Sequence, residues 1–158
     1  LHSSLNTPDV ATDVFVGKMF PGTNCADAPV RYDGANTWLL EVLNRLSVKQ
    51  SKPAATFILL VFGDAPPNEQ LNQLTSLLPA GLTTPVLQVA SGSLQDSEGR
   101  LQERYDGKAG TVYLLRPDQH VAARWREFDA IKISRAVKRC IGVFETSGAN
   151  LGKKENAA

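Results

Sequence analysis

The groups with reactive chemistry in this 158-residue chain are few, and their spacing limits what they can do. Its two cysteines, Cys25 and Cys140, are far apart, so no Cys-x-x-Cys occurs and dithiol exchange has no local pair. Cys25, in Asn24-Cys25-Ala26-Asp27, admits two readings: a lone peroxidatic nucleophile or an inert loop thiol. Nothing adjacent supplies a base or a cation, which favours the inert thiol. Cys140 falls on an apolar helical stripe and reads as core. Two free thiols are therefore expected rather than a disulfide. Asp118 and His120 lie two apart across a turn, but two ligands do not make a metal site, and His2 is the only other histidine. Asp64 admits a general-base role, with a plain helix-start aspartate as the simpler reading. No GxGxxG, P-loop or Gly-x-Ser-x-Gly elbow occurs, so no phosphate cradle or nucleophile elbow is encoded here.

The length fits one domain able to bury a core, and an apolar share of 42% is that of a globular chain. Seventeen basic against sixteen acidic residues leave a net charge of +1, so no polyanion-binding field emerges and no nucleic-acid partner is expected. The longest apolar run, Phe57–Phe62, is too short to cross a bilayer, so no membrane partner is expected. No leader of secretory type opens the chain, and the expected location is cytoplasmic. Leu1 in place of Met suggests a processed product or a fragment.

Residues 1–12 are polar and patternless and read as a flexible lead-in. Asp13–Phe20 alternates weakly through Val14 and Val16, then Pro21-Gly22 turns the chain. Ala28–Tyr32 is extended, and Asp33-Gly34 is a turn. Asn36 or Thr37 is placed to cap a helix through Trp38, Leu39, Val42, Leu43 and Leu46. Thr56–Phe62 reads as a strand buried on both faces, and Asn68–Leu78 as a helix with Pro67 in its first turn. Pro85–Ala90 is a second strand, and a short helix is expected around Glu98–Tyr105. Thr111–Arg116 and His120–Trp125 flank Pro117-Asp118-Gln119 and should form an antiparallel hairpin, because proline presets φ and aspartate bonds its own backbone. Asp129 caps a last helix with Ile133, Ala136, Val137, Cys140, Ile141 and Phe144 on one face. Residues 147–158 read as a disordered tail.

The strand–helix–strand order makes the first two core strands parallel neighbours, with the hairpin as an antiparallel edge and the last helix closing one face. This predicts an α/β fold of thioredoxin-like layout over residues 13–146, a central mixed sheet flanked by helices without a CxxC. A redox-active relative would carry thiols where Gly63-Asp64-Ala65-Pro66-Pro67 stands, at a helix start that lowers a thiol pKa. It would also carry a cis-proline where Ala109-Gly110-Thr111 stands. Both are missing.

The run Gly110-Thr111-Val112-Tyr113-Leu114-Leu115-Arg116-Pro117-Asp118-Gln119-His120-Val121-Ala122-Ala123-Arg124-Trp125 resembles a signature in the C-terminal domain of FAD-dependent aromatic-ring hydroxylases, the phenol hydroxylase and 3-(3-hydroxyphenyl)propionate hydroxylase group. Pro21-Gly22, Ala28-Pro29-Val30, Asp33-Gly34 and the Thr56–Gly63 strand resemble the same domain. The resemblance implies a non-catalytic accessory domain, serving domain packing or subunit association in a monooxygenase that uses FAD, NAD(P)H and O2. It implies as partners the preceding FAD and substrate domains of the same polypeptide, with a homodimer as a further partner class. Those domains carry the catalytic and cofactor residues, so no catalytic, cofactor-binding or metal role falls on this chain and none of these cofactors is expected to bind it.

Arg116, Pro117, Asp118, His120, Arg124 and Trp125 are assigned a structural or interface role. Arg116 and Arg124 flank the turn and are expected to meet Asp118 or backbone carbonyls. Arg124, Trp125 and Arg126 are the candidate contact surface. The competing reading is a stand-alone thioredoxin- or peroxiredoxin-like redox protein working through Cys25, or a small-ligand module with a pocket near Asp64–Pro67.

Overall fold

The continuous apolar run at Thr56–Phe62 becomes strand β3 (Ile58–Phe62), in which every residue is buried. A computed structural model describes residues 5–49, 56–90 and 93–142. Preceding β3 are β1 (Pro29–Tyr32), β2 (Ala35–Trp38) and α1 (Leu39–Lys49). Following it are α2 (Asn68–Leu77), β4 (Val86–Val89), β5 (Leu94–Gln95), α3 (Arg100–Tyr105), β6 (Val112–Leu115), β7 (Val121–Trp125) and α4 (Ala130–Cys140). They form one open mixed sheet of seven strands in the order β2-β1-β5-β4-β3-β6-β7. β3 pairs parallel with β4 and antiparallel with β6, as the strand–helix–strand order predicts. The period-two geometry of β3 divides the core. Ile58, Leu60 and Phe62 pack with Leu39, Val42, Leu43, Leu101 and Tyr105 on one face. Phe57, Leu59 and Val61 pack with Leu74, Ile133, Ala136 and Val137 on the other. Asp129 caps α4, its carboxylate accepting from the Lys132 N–H at 3.1 Å.

Several expectations need correction. Asn36 and Thr37 do not cap α1; they belong to β2, paired with Arg31 and Val30. Asp33 and Gly34, at φ +50° and +78°, form a two-residue hairpin turn that claims the next four residues for a strand. The capping carboxylate comes instead from Asp27, which accepts from the Leu40 and Ala28 N–H groups at 3.0 Å each. Asp13–Phe20 contains no strand. Strand β5 was not expected, and two residues are too few for a periodic signal. β7 lies at a sheet edge, yet all five of its residues are buried, so its two faces do not divide between core and solvent.

The reason lies in residues 5–25. Although 5–12 have no regular secondary structure, they are not a loose lead-in. The Thr7 N–H donates to the Ala122 carbonyl at 2.9 Å, and Asn6 is only 6% exposed. Further along, Gly22 N–H donates to Val121 O, Val121 N–H to Thr23 O, and Cys25 N–H to Gln119 O, at 2.7, 2.9 and 2.8 Å. The segment is thus a strap that satisfies the outer edge of β7 and protects it from pairing elsewhere. Phe144 and residues 147–158, read from the sequence as stripe and tail, lie outside the described residues.

Candidate functional site

At the C-terminal end of β3, where a thioredoxin-like layout would put a thiol pair, backbone fills the space. Phe62 and the segment before β6 bind each other: Gly110 N–H donates to Phe62 O at 2.8 Å, and Phe62 N–H to Thr111 O at 2.9 Å. Gly63, at φ +91°, lies so near this segment that a Cβ on it would stand 3.2 Å from Ala109 Cα. A Cβ on Gly107 would come within 2.4 Å of the Phe62 ring. The Gln88 side-chain amide closes the other side, donating to Gly63 O at 2.7 Å. No cis peptide bond occurs among the described residues. Asp64 is exposed.

An open hollow of about 400 Å3 remains beside these residues, bounded by Phe62, Gly63, Ala90, Asp96, Gln102 and Ala109. Its one carboxylate, Asp96, accepts from the Leu101 and Gln102 N–H groups at 3.1 and 2.8 Å and holds the start of α3. A flavin dinucleotide would need free N–H groups and positive potential for its pyrophosphate. The adjacent helix α2 starts behind Pro67, which has no N–H, and carries Glu69 in its first turn. These residues do not fit the group.

Cys25 is buried, at 6% exposure, within the α1-side core. Burial pushes its thiol up to about 12, which outweighs the nearby Tyr105 hydroxyl. Cys140 is partly buried, with its thiol also raised by burial, and its Sγ donates to Leu5 O at 3.2 Å. Neither cysteine is in a disulfide. Among the described residues no three His, Cys, Asp or Glu side chains are grouped to hold a metal. No helix among them is long and apolar enough to cross a membrane.

The hairpin brings Arg116, Pro117, Asp118 and His120 together. Pro117 is the second residue of a turn closed by Gln119 N–H donating to Arg116 O at 2.9 Å, and Gln119 takes φ +60°. Arg116 Nη2 meets the Asp118 carboxylate at 2.5 Å, and its Nη1 donates to Asn6 Oδ1 at 3.1 Å. His120 Nδ1 lies 3.0 Å from the Asp118 carbonyl and 3.3 Å from its carboxylate. The arginine therefore joins the turn to the strap.

Arg124 and Trp125 stand apart from this group and point inward. They are 5% and 2% exposed, so with Arg126 they form internal contacts instead of a contact surface. Trp125 packs in the α2–α4 layer. Arg124 makes a forked pair with Asp9, at 2.9 and 3.1 Å through Nε and 2.8 Å through Nη2. Burial opposes its charge, but the hydrogen bonds and charge of Asp9 prevail and hold the guanidinium above its usual value. Arg126 reaches Val14 O, Asp106 O, Thr111 Oγ1 and the Asp106 carboxylate. Both guanidiniums lie over the ring of Phe15, at 4.3 and 3.8 Å from its centroid. The Val16 N–H bonded to Asp106 lowers that carboxyl below its ordinary value, burial opposes this, and Arg126 adds to it. Sequence reasoning missed Asp9, Phe15 and Asp106, whose partners are distant in the chain. The arrangement is a fastening between strap and hairpin.

No protein-family model and no curated protein matches the chain. The crystal structures that share its fold include two FAD-bound enzymes. One is the flavin-dependent monooxygenase PieE in complex with FAD and substrate, with a TM-score of 0.67 and 20% identity over 89% of this chain and 24% of that one. The other is aklavinone-11 hydroxylase in a ternary complex with FAD and aklavinone, with a TM-score of 0.62 and 21% identity over 88% of this chain and 25% of that one. The chain spans about a quarter of the length of either, and at such identity the likeness is one of fold: it has the architecture of one part of two FAD-bound enzymes.

Proposed function

We propose that this chain is the non-catalytic C-terminal accessory domain of a flavin-dependent aromatic hydroxylase. In that reading it has a thioredoxin-like core that has lost its redox site and serves domain packing or subunit association. FAD, NAD(P)H and O2 are used by preceding FAD and substrate domains of the same polypeptide, in the cytoplasm. The observation that carries this is the pair of fold matches, which take in nearly all of this chain but only a quarter of each flavoprotein. The hairpin signature around Arg116-Pro117-Asp118 supports it. So does the backbone packing of Phe62 and Gly63 against Ala109 and Gly110 where thiols would work.

The full reading frame upstream of Leu1 tests the reading: it should encode a glycine-rich dinucleotide fingerprint, and a start codon immediately before Leu1 would overturn it. Calorimetric titration of FAD and of simple phenols into the isolated chain should give no binding heat. Tight binding would sink the accessory role. Peroxide consumption that is fast, saturable and lost on Cys25→Ser would establish the competing redox reading, which the buried thiol at about 12 disfavours.

A further inference from the structure

Residues 13–20 cross the hairpin with Phe15 turned in and its neighbours turned out. Phe15 lies against Tyr113, ring centroids 6.0 Å apart, beneath Arg124 and Arg126. Val14 and Val16 are 74% and 73% exposed, and Phe20 is 48% exposed. The backbone carrying them is fixed from behind. Arg126 Nε and Nη2 donate to Val14 O at 3.0 and 2.7 Å, and the Val16 N–H donates to Asp106 at 2.9 Å. Thr23 holds Phe20 O through its N–H at 3.1 Å and its hydroxyl at 2.8 Å. Of the other large exposed hydrophobics, Leu5 and Trp38 lie on separate elements, and Ile131 and Ile141 stand at opposite ends of α4. Single exposed apolar side chains need no explanation, whereas a cluster on an immobilised backbone marks a contact surface. Because that backbone is already ordered, docking on it loses little further entropy.

We infer that the strip Val14, Val16 and Phe20 is the surface on which the flavin-bearing body of the same polypeptide docks. This rests on the accessory-domain reading. It commits to that occupant because PieE and aklavinone-11 hydroxylase, which share the fold, devote three quarters of their length to other structure, 24% and 25% being matched. In that reading a body of that size is joined to this domain, and Val14 and Val16 are the most exposed large apolar side chains among the described residues. Lys18 is exposed in its midst, so the complementary face is apolar with a carboxylate or carbonyl acceptor for one ammonium.

Lys18 is also the only trypsin site between residues 5 and 30, which supplies the assay. Cleavage after Lys18 is followed by mass spectrometry in the 158-residue chain and in the product of its full natural reading frame. Amide exchange over residues 13–20 serves as a second, unmodified readout. Cleavage in the 158-residue chain should proceed at the rate set by local opening of the segment and be at least tenfold slower in the longer product, with exchange slowed in parallel. The double variant Val14→Asp, Val16→Asp should abolish that protection. Equal rates in both proteins, or protection that survives the double variant, would overturn the docking surface and leave the accessory reading standing. Protection that grows with concentration in the 158-residue chain would instead assign the strip to a second copy. A natural reading frame without a flavin-binding part would overturn the reading and the surface together.

Discussion

Replacing Asp9 by alanine should loosen the strap. Asp9 lies in a stretch that looks featureless in the sequence, yet it receives three hydrogen bonds from Arg124, at 2.8, 2.9 and 3.1 Å. The two side chains are 29% and 6% exposed, so removing the carboxylate leaves a guanidinium that is almost wholly buried without its counter-charge. Breaking a fully buried pair costs about 3–5 kcal/mol, and water reaching the Asp9 side lowers this to about 2–3 kcal/mol. For a chain of this size each kcal/mol moves Tm by roughly 2–4 °C, so a fall of about 4–12 °C is expected. Circular dichroism melts and urea titrations would measure it, and amide exchange should show faster opening at Thr7 and Gly22, whose N–H groups bind β7. The control is a double-mutant cycle with Arg124→Met, in which Asp9→Ala should cost less than about 0.5 kcal/mol once the charge is gone. If Asp9→Ala costs the same in both backgrounds, or nothing in the wild type, then the strap is not held by this pair.

The remaining predictions concern neighbouring groups. The Asp106 carboxyl is held below its ordinary 3.8, so its contribution to stability is complete above that pH and is lost as pH falls through the lower folded value. Acid titration of unfolding should therefore show a loss of stability below about 3.8, and Asp106→Asn should flatten that part of the profile while lowering stability at neutral pH. Gly107→Ala places a methyl within 2.4 Å of the buried Phe62 ring and should cost about 1–3 kcal/mol, partly recovered by Phe62→Leu. Lack of recovery would mean that backbone, and not the ring, sets the limit. With its thiol at about 12, Cys25 should be ionised to only about one part in ten thousand at pH 8. Disulfide-exchange reagents should accordingly modify it only on unfolding, and rapid labelling in the native protein would contradict its burial.

Local patterns made a good part of this structure legible. The length and branched content of Thr56–Phe62 favoured a central strand, because a run with no polar face must be covered on both sides. Asp33-Gly34, Pro117-Asp118 and Asp129 announced two turns and a cap through side chains that act within a few residues. The first of these was understood only halfway. The turn was expected, but a hairpin needs a returning strand, and Ala35–Trp38 has too little alternation to show that it is one. The helix cap at Asp27 was hidden for a related reason: a carboxylate thirteen positions away from the N–H it binds leaves no spacing signature.

Which local motifs the chain carries was also readable in one dimension: it has no Cys-x-x-Cys, no glycine fingerprint and no nucleophile elbow. Where Arg124 and Trp125 point, by contrast, was decided in three dimensions. Alternation along a strand separates its two faces but does not tell whether both are covered, and β7 is covered on both because residues 5–25 return to its edge. Local spacing therefore settled most of the chain's elements. Only tertiary contacts between residues a hundred positions apart, such as Asp9 with Arg124, turned an apparent lead-in into a strap and left Val14 and Val16 facing water. Such contacts depend on which surfaces meet once the sheet has formed, and no local period or spacing encodes that.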